Sequence, residues 1–377
     1  MRARGLVAAA IAAAGIGLIA HAAGTPPAAV ATPAAGARYA ADTAYAPVIA
    51  TRPMSFPQDY GSHPQFRTEW WYVTGWLTTP QGKPLGFQIT FFRTRPDIDE
   101  DNPSAFTPRQ ILIAHCALSD PAHGRLWTAE RSMRAGFGLA EADTGNTQVW
   151  IGRWRLQRDG ARYLAHAAGE DFSFDLQFTV TQAPMLNGVS GYSRKGPDAQ
   201  AASYYYSIPH LTVQGRILRA GRSDRVAGDA WLDHEWSSEY LDPGAVGWDW
   251  IGINLRDGAA LMAFRIRGAD GTARWAGGTL RAADGKVHIL QPADVMFKPE
   301  RFWLSPRTGV RYPVAWQVRA GDRQFELEPL MDDQENDTRA STMAIYWEGA
   351  VRAYEQHRRV GHGYLELTGY GGKLPLR

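Results

Sequence analysis

From Phe56 onward, short runs of apolar and aromatic residues alternate with clusters of Gly, Pro and Asp. Asp-Gly pairs such as Asp257-Gly258 and Asp270-Gly271 lie between runs, where glycine supplies the positive φ of a tight hairpin. Aromatic and β-branched residues favour strands, and no long stretch keeps a helical period. The pattern therefore predicts an all-β chain of many strands, arranged as barrels or sandwiches. Residues 351–355 fit either a short helix or another strand.

Four of these runs combine tryptophan with an acid. A carboxylate beside such large rings must be paired, solvated or functional, because burying it alone is costly. Two interpretations stay open: aromatic-lined cavities that hold an apolar ligand near ionisable groups, or ordinary β cores whose acids lie in water at strand ends. The four runs are Glu69-Trp70-Trp71-Tyr72, Trp231-Leu232-Asp233-His234-Glu235-Trp236, Gly247-Trp248-Asp249-Trp250 and Tyr346-Trp347-Glu348-Gly349.

The bulk composition narrows the function classes. With 377 residues, the chain is long enough for two domains, and a formal charge of +2 without a basic run gives no reason to expect a nucleic-acid partner. The single cysteine, Cys116, allows no internal disulfide and no cysteine-based metal site, and we expect it to be buried. His63, His115, His210 and His234 show no ligand spacing, so we predict no metal site.

The first residues are typical of an export signal. Two arginines precede an apolar stretch over residues 6–20, and Ala20-His21-Ala22 resembles a cleavage site. The apolar stretch is short for a membrane span. We therefore predict a signal peptide over residues 1–22, a mature protein without a stable membrane span, and a periplasmic or secreted location. Residues 23–52, rich in Ala, Pro and Thr, are predicted to form a disordered linker.

The remaining chain is predicted to form two domains. Asp242-Pro243-Gly244 breaks the strand pattern shortly after the second tryptophan-rich run, and we place the boundary between about Ser237 and Gly247. The predicted domains are residues 53–240 and residues 241–377.

Several segments resemble the AttH and carotenoid 1,2-hydratase family. The resemblance runs in order along residues 56–370 and implies two lipocalin-like antiparallel β-barrel domains packed side by side. It also implies cofactor-independent chemistry: hydration of an isolated alkene of a carotenoid, or cyclisation of polyene ligands. The segments are residues 59–64 and 68–72, Gly191-Tyr192-Ser193-Arg194-Lys195-Gly196, Ser203-Tyr204-Tyr205-Tyr206-Ser207, residues 231–238 and 247–255, Asp333-Gln334-Glu335 and residues 363–370.

Adding water to such an alkene requires a strong proton donor, a cavity that tolerates a carbocation, and a placed water. His234 and Trp236 match a His and Trp pair that the resemblance implicates in catalysis. Strand alternation puts these two residues on one face and Asp233 and Glu235 on the other. The family's acid on a following strand has no clean counterpart, and Asp249 is the nearest. The predicted catalytic residues are His234, Trp236, Glu235 and Asp249, and the predicted ligand-binding residues are Glu69, Trp71, Tyr72, Trp248, Trp250 and Tyr205.

Purely structural roles stay open for two of these residues. His234 would then be a histidine hydrogen-bonded between the domains, and Trp236 a packing residue. Two functions also stay open. One is a hydratase, lyase or isomerase acting on a hydrophobic or polyene ligand. The other is a non-catalytic carrier that passes a lipophilic molecule to an ABC-type membrane transporter permease. A cavity with His and acids favours the enzyme, and an apolar cavity without them favours the carrier.

Overall fold

The computed structural model of the chain describes residues 45–98 and 101–374, and almost all of its regular structure is antiparallel strand. The first thirteen strands form one sheet, in the order β4-β3-β2-β1-β13-β12-β9-β8-β7-β6-β5, with β10 and β11 paired to β12. These strands are β1 (Thr68–Thr78), β2 (Pro84–Thr94), β3 (Ile111–Ser119), β4 (Leu126–Arg134), β5 (Ala140–Ala142), β6 (Gln148–Ile151), β7 (Trp154–Asp159), β8 (Arg162–Ala168), β9 (Phe172–Thr179), β10 (Met185–Leu186), β11 (Tyr192–Arg194), β12 (Ala202–Arg219) and β13 (Arg222–Ser237).

The remaining ten strands form a second sheet, in the order β17-β16-β15-β14-β23-β22-β20-β19-β18, with β21 paired to β22. Both sheets curve into barrels: β3 and β4 reach β6 in the first, and β18 reaches β15 and β16 in the second. The strands are β14 (Ala245–Leu255), β15 (Ala260–Gly268), β16 (Ala273–Arg281), β17 (Val287–Leu290), β18 (Val295–Leu304), β19 (Arg311–Ala320), β20 (Arg323–Pro329), β21 (Glu335–Thr338), β22 (Ala344–Glu355) and β23 (Arg358–Leu367).

The predicted turn chemistry is present. Gly258 and Gly271 adopt φ values of 91° and 79° in the hairpins β14–β15 and β15–β16, a conformation that side chains disfavour. The ambiguous residues 351–355 belong to strand β22. Helical structure among the described residues is limited to short 3₁₀ turns, Gln58–Tyr60 and Pro292–Asp294, and no helix there has the length and apolarity needed to cross a membrane. The all-β fold class is confirmed.

Apolar side chains gather in three clusters. One fills the first barrel and includes Trp71 and Trp236, and another fills the second barrel and includes Trp316. The third lies between the sheets, where the outer faces of β1, β12 and β13 meet those of β14, β22 and β23; it includes Tyr205 and Trp250. The barrel interiors are therefore packed with side chains, and the aromatic contact between the barrels is a separate apolar layer.

The change of sheet falls between Ser237 and Ala245, and both sheets belong to one compact unit. The division into residues 53–240 and 241–377 stays a prediction. The predicted signal peptide lies outside the described residues. At the end of the predicted disordered linker, the Ile49 N–H donates to the Tyr204 hydroxyl (2.8 Å) and Arg52 pairs with Asp59 (2.7 Å). These bonds attach residues 45–52 to the first barrel; residues 23–44 lie outside the described residues, and the linker stays a prediction.

Strands β14 and β23 approach too closely for a side chain at Gly363. A Cβ there would lie 1.9 Å from the carbonyl oxygen of Gly252, a backbone atom that cannot move alone. We expect Gly363→Ala to lower the free energy of unfolding by about 1–3 kcal/mol, the usual range for overpacking. The matched control is Gly277→Ala, because a Cβ there meets the Phe264 ring at 3.4 Å and the Leu290 carbonyl oxygen at 3.7 Å, which are ordinary van der Waals distances. Equal urea midpoints for the two variants would contradict this packing.

Candidate functional site

Strand β13 separates the predicted site residues into two places. His234 and Trp236 point into the first barrel, whereas Asp233 and Glu235 point towards the second sheet. Both faces are buried, since all four residues are at most 3% exposed. The alternation predicted for this strand is therefore present, and it places the histidine and the acids of one run in different environments.

Inside the first barrel, Glu69 is the centre of a buried polar network. Its Oε1 lies 2.7 Å from His63 Nδ1 and 2.8 Å from His234 Nε2. Its Oε2 accepts bonds from Arg93 Nε (2.7 Å) and the His63 backbone N–H (2.8 Å). His63 Nε2 lies 3.1 Å from Asp59 Oδ1. Both oxygens of Glu69 are thus engaged by protein donors.

The pKa shifts in this network follow from its charges. Burial would raise the pKa of Glu69, but Arg93 and His63 lower it well below its ordinary value. Burial would lower the pKa of His63, but Glu69 and Asp59 raise it, while burial lowers the pKa of His234 despite Glu69. The network therefore holds an ionised Glu69 between Arg93 and a protonated His63, with His234 neutral.

Two tryptophan rings stack on the histidines of this network. Trp236 stacks on His63 with ring centroids 3.7 Å apart, and Trp71 stacks on His234 at 4.6 Å. The predicted contact between His234 and a carboxylate is present. The His234 ring, however, is 0% exposed and packs inside the barrel rather than in the cavity described below. His234, Trp236, Glu69 and Trp71 are placed as interior packing residues, because β1 and β13 direct them inward.

His63, Glu69 and His234 also bring potential metal ligands together, although sequence spacing predicted no metal site. The fit is poor. The Glu69 oxygen lies at hydrogen-bond distance from the ring nitrogens. Atoms that each bind one ion at about 2.0–2.2 Å lie farther apart from one another than that. Arg93 also supplies a cation at the same carboxylate. The geometry matches a proton-sharing network.

Asp249 lies on the far side of strand β14. Its oxygens accept bonds from Arg265, Arg267 and the Tyr370 hydroxyl, and Arg265 lies over the Trp316 ring of the second core. Because Trp250 alternates with Asp249 and points between the sheets, the predicted catalytic Asp249 is separated from the acids of β13. Asp249 instead forms ion pairs with two arginines, Arg265 and Arg267.

The space between the sheets contains a cavity of about 80 Å³, which we call the interface cavity. Five of the predicted residues line it: Glu235, Tyr72, Tyr205, Trp248 and Trp250. Its half-buried residues, Thr68, Trp70, Phe92, Trp248 and Glu366, mark its mouth. The full lining is Thr68, Trp70, Tyr72, Gln88, Thr90, Phe92, Tyr205, Asp233, Glu235, Tyr240, Trp248, Trp250, Tyr346, Glu348 and Glu366.

Asp233 is buried among neutral donors. Tyr205 Oη donates to Asp233 Oδ2 (2.7 Å), while Ser207 Oγ (2.5 Å) and Trp231 Nε1 (2.6 Å) donate to Oδ1. Trp250 Nε1 in turn donates to the Tyr205 hydroxyl (3.0 Å). Burial raises the pKa of Asp233 to about 7, although these hydrogen bonds act in the opposite direction. This carboxyl is therefore close to half-protonated near neutral pH.

Glu235 has a cationic partner. Lys195 Nζ lies 2.7 Å from Glu235 Oε1, and the Ser203 hydroxyl bonds the same oxygen. Burial raises the pKa of Glu235 although Lys195 lowers it, and burial lowers the pKa of Lys195 although Glu235 raises it. The two groups form a sealed pair at the edge of the interface cavity.

Glu348 and Glu366 face each other across strands β22 and β23. Directly opposed residues have Cβ atoms about 5 Å apart, so two carboxylates there repel. Burial and the neighbouring Glu366 raise the pKa of Glu348 well above its ordinary value, and burial raises that of Glu366 to about 7. Trp248 Nε1 donates to Glu366 Oε2 (2.9 Å). The pair therefore retains at least one proton at neutral pH.

Three cavity-lining atoms are buried without a hydrogen-bond partner: Tyr72 Oη, Gln88 Oε1 and Glu348 Oε1. Buried polar atoms are normally satisfied, so unpartnered ones that line a cavity indicate where a ligand or water belongs. In the Glu69 network, by contrast, the carboxylate and both imidazoles have protein partners. The interface cavity is accordingly the candidate functional site.

Larger surface grooves lie elsewhere on the chain, among them one of about 700 Å³ and one of about 630 Å³. One is lined by β10 and the β16–β17 hairpin, and the other crosses the outer face of β8, β9 and β12. Neither brings buried carboxyls together, so volume alone does not locate the chemistry.

The sequence analysis missed most of the acids of this site as functional residues. Glu348 stood in a tryptophan-rich run, and Asp233 was placed correctly on the face opposite His234. Glu366 stands between apolar residues in Tyr364-Leu365-Glu366-Leu367, a pattern typical of a strand covered on both faces. That signal could have found it. Lys195 carried no comparable signal, because its burial depends on the other sheet.

The AttH-like family model matches residues 47–370, most of the chain. The chain is an AttH-like protein. A comparison with curated proteins gives no match. Among solved structures, this AttH-like protein is similar to a protein provisionally identified as an AttH from Nitrosomonas europaea, with 54% identity over 86% of this chain and 99% of that one, and a TM-score of 0.81.

More distant structures share the fold of this AttH-like protein. Kievitone hydratase from Nectria haematococca is 14% identical over 86% of this chain and 95% of its own, with a TM-score of 0.64. The crystal structure of CghA with Sch210972 is 13% identical over 81% and 89%, with a TM-score of 0.50. The two-barrel architecture therefore persists where little sequence identity remains.

Loss of the Glu69 carboxylate should destabilise the AttH-like fold. Glu69→Gln leaves Arg93 buried beside a neutral group, and breaking a buried pair costs about 3–5 kcal/mol. Glu355→Gln, which breaks the half-buried Arg323–Glu355 pair, is the control and should cost less than about 1 kcal/mol. Urea denaturation measures both. Equal losses would show that Glu69 is not a structural centre.

Stability should fall as pH rises from about 4 to about 7. Folding raises the pKa of Asp233 from its ordinary value of 3.8 to about 7, so the folded state holds this proton more tightly. The contribution of Asp233 to the free energy of unfolding is on the order of 2–4 kcal/mol at most. It is full below about pH 4 and is lost as pH passes about 7. Asp233→Asn should flatten this slope in urea denaturation, and exposed Asp159→Asn should not. An unchanged slope in Asp233→Asn contradicts the shift.

Proposed function

We propose that this AttH-like protein is an acid–base catalyst that adds water to, or removes it from, an alkene-bearing apolar ligand at the interface cavity. The observation that carries the proposal is the opposed pair Glu348 and Glu366, which lines the aromatic cavity and retains a proton at neutral pH because burial raises both pKa values. A carboxyl kept neutral at pH 7 is the proton donor that an unactivated alkene requires.

In the proposed reaction, the neutral carboxyl of the pair gives its proton to one alkene carbon, and the other carbon becomes a carbocation. The oxygen of a water molecule then forms a bond to that carbon. The proton which this water releases passes to an ionised carboxylate of the cavity, so that one alkene and one water become one alcohol. The same steps in reverse remove water.

Each wall of the cavity supports one part of this chemistry. The rings of Trp70, Trp248 and Trp250 line the space where positive charge develops, and aromatic faces stabilise cations. Asp233 and Glu235 on the opposite wall offer proton acceptors. The name of kievitone hydratase, a distant relative in fold, is compatible with a hydration reaction here.

The cavity of about 80 Å³ is small beside ligand sites of about 300–1,000 Å³. We infer that only the reacting end of the ligand enters between Trp70 and Trp248, while the rest lies outside the mouth. The original assignment of His234, Trp236 and Asp249 to catalysis is replaced in this proposal by Glu348, Glu366, Asp233 and Glu235, because the first three lie inside the barrels.

The carrier function, with its ABC-type permease partner and an exported location, stays a prediction. It called for an apolar cavity without acids, and four carboxyls line the one between the sheets. No observation on the described residues favours it over the acid–base proposal.

Glu348→Gln should abolish water addition. The amide keeps the shape but cannot donate a proton as the acid does, and loss of a general acid costs at least about 100-fold in rate. The assay is a panel of isoprenoid and polyene alkenes in ¹⁸O-labelled water, with mass spectrometry to find products heavier by one labelled water. Wild-type turnover should persist as pH rises through about 7, because Glu366 loses its proton there while burial and the Glu366 charge hold the pKa of the donor Glu348 well above its ordinary value.

The control for this assay is Glu141→Gln, an exposed acid on the edge strand β5. It should keep the wild-type rate. Equal rates for wild type and Glu348→Gln would reject the assigned donor. If every alkene of the panel leaves wild-type protein unchanged but bound, the hydration reaction is rejected and the carrier function is favoured.

A further inference from the structure

The interface cavity has more carboxyls than basic partners. Lys195 pairs with Glu235. Asp233 is held by neutral hydroxyl and indole donors, and Glu366 by the indole of Trp248. Across residues 45–98 and 101–374, no Lys or Arg makes an ion pair with Asp233, Glu348 or Glu366. Ionisation of Glu348 or Glu366 therefore leaves negative charge without an ion-paired Lys or Arg among the described residues, whereas ionised Asp233 acts on Lys195, whose pKa it raises.

The aromatic lining is arranged in edge-to-face pairs. Tyr240 meets Trp70 at 4.9 Å and Trp248 at 5.6 Å, and Tyr72 meets Trp250 at 5.4 Å. Such pairs leave negative ring faces available, and these faces attract cations. The same kind of wall already surrounds a protein cation: Lys195 Nζ lies 4.3 to 5.3 Å from the ring centroids of Phe264, Tyr205 and Tyr240.

An independent observation points to a ligand. Gln88 Oε1 lines the cavity without a partner, while Glu348 Oε1 and Tyr72 Oη lie close enough to affect each other's pKa but make no well-formed hydrogen bond; Gln88, Glu348 and Tyr72 are only 2%, 3% and 6% exposed. Gln88 Oε1 is an amide oxygen, which can accept a hydrogen bond but cannot donate one. Acceptors without donors, beside ring faces, are complementary to a group of positive charge.

We propose that the interface cavity is a binding site for a small organic cation, an alkylammonium group held between aromatic rings and the carboxyls of Asp233, Glu348 and Glu366. The size of the cavity, about 80 Å³, limits the occupant to a compact head group. This site shares its cavity with the proposed water addition but does not require it, since an ammonium ion binds by charge and contact alone. An ammonium group also mimics the carbocation of that reaction.

The affinity for a cation should rise with pH. Asp233 and Glu366 have pKa values of about 7, so raising the pH through that value ionises them. Lys195 opposes the cation, but Glu235 balances it. The tyrosines around the site stay neutral because burial raises their pKa values well above the ordinary one; they are Tyr72, Tyr205, Tyr240 and Tyr346. His115, which contacts Tyr346, also stays neutral, because burial lowers its pKa to about 3.

Titration calorimetry with tetramethylammonium chloride tests this site, and tert-butanol, a neutral molecule of similar shape, is the matched ligand. We expect tetramethylammonium to bind at least about 10-fold more tightly at pH 8.5 than at pH 5.5, and tert-butanol to show no such change. Glu348→Gln combined with Glu366→Gln should weaken tetramethylammonium binding at least about 10-fold, while exposed Glu141→Gln should leave it unchanged. Trp248→Leu, which keeps the acids and removes a ring, should also weaken it.

Absence of tetramethylammonium binding at both pH values overturns the proposal, as does binding that is independent of pH or equal to that of tert-butanol. Wild-type affinity in both the double Gln variant and Trp248→Leu overturns it as well. Circular dichroism of each variant shows whether it is folded, and Asp233→Asn provides a second carboxyl variant if the double one is not. Tetramethylammonium binding without water addition to any alkene would keep the cation site and reject the proposed reaction.

Discussion

Strand β13 is buried on both of its faces, and the arrangement of charge in the molecule depends on this constraint. A strand at the rim of a barrel normally sends alternate residues to water. Here the second barrel covers the outer face of β13, so Asp233 and Glu235 lose their solvent while His234 and Trp236 fill the interior. The same covering applies to β22 and β23, where it encloses Glu348 and Glu366. Burying carboxyls on both walls produces the raised pKa values that distinguish this site.

The two buried polar regions differ in how their groups are satisfied. In the first barrel, Glu69 has a full set of donors, including Arg93 and two imidazoles, and this matches the behaviour of a structural network. Between the barrels, Glu348, Gln88 and Tyr72 keep atoms without partners. A buried polar atom without a partner costs stability, and sites of ligand binding are where such a cost is commonly retained. Inside the first barrel, Trp236 Nε1 also lacks a partner, so the interface is singled out by its cavity and by the raised pKa values of its carboxyls rather than by unpartnered atoms alone.

The comparisons concern the fold of the chain. The relative from Nitrosomonas europaea, at 54% identity, and kievitone hydratase, at 14%, share the two-barrel fold with this chain. A fold retained at such low identity rests on strand pattern and packed barrel interiors, which many side chains can satisfy. A shared fold of this kind does not by itself determine the chemistry, which depends on the particular groups that each chain places on it.

The sequence by itself determined the strands, the hairpin turns, the alternation of β13 and the family, because these follow from period-two patterning, Asp-Gly turns and contiguous motifs. It also singled out Glu235, Tyr72, Tyr205, Trp248 and Trp250, which do line the cavity. Only the tertiary structure decided that His234, Trp236 and Asp249 face the barrel interiors, and that Glu348 and Glu366 oppose each other opposite Asp233. Alternation along a strand says which residues share a face, but which face meets the second sheet depends on packing between segments more than a hundred residues apart. Burial, and with it the protonation of these acids, is set by that contact.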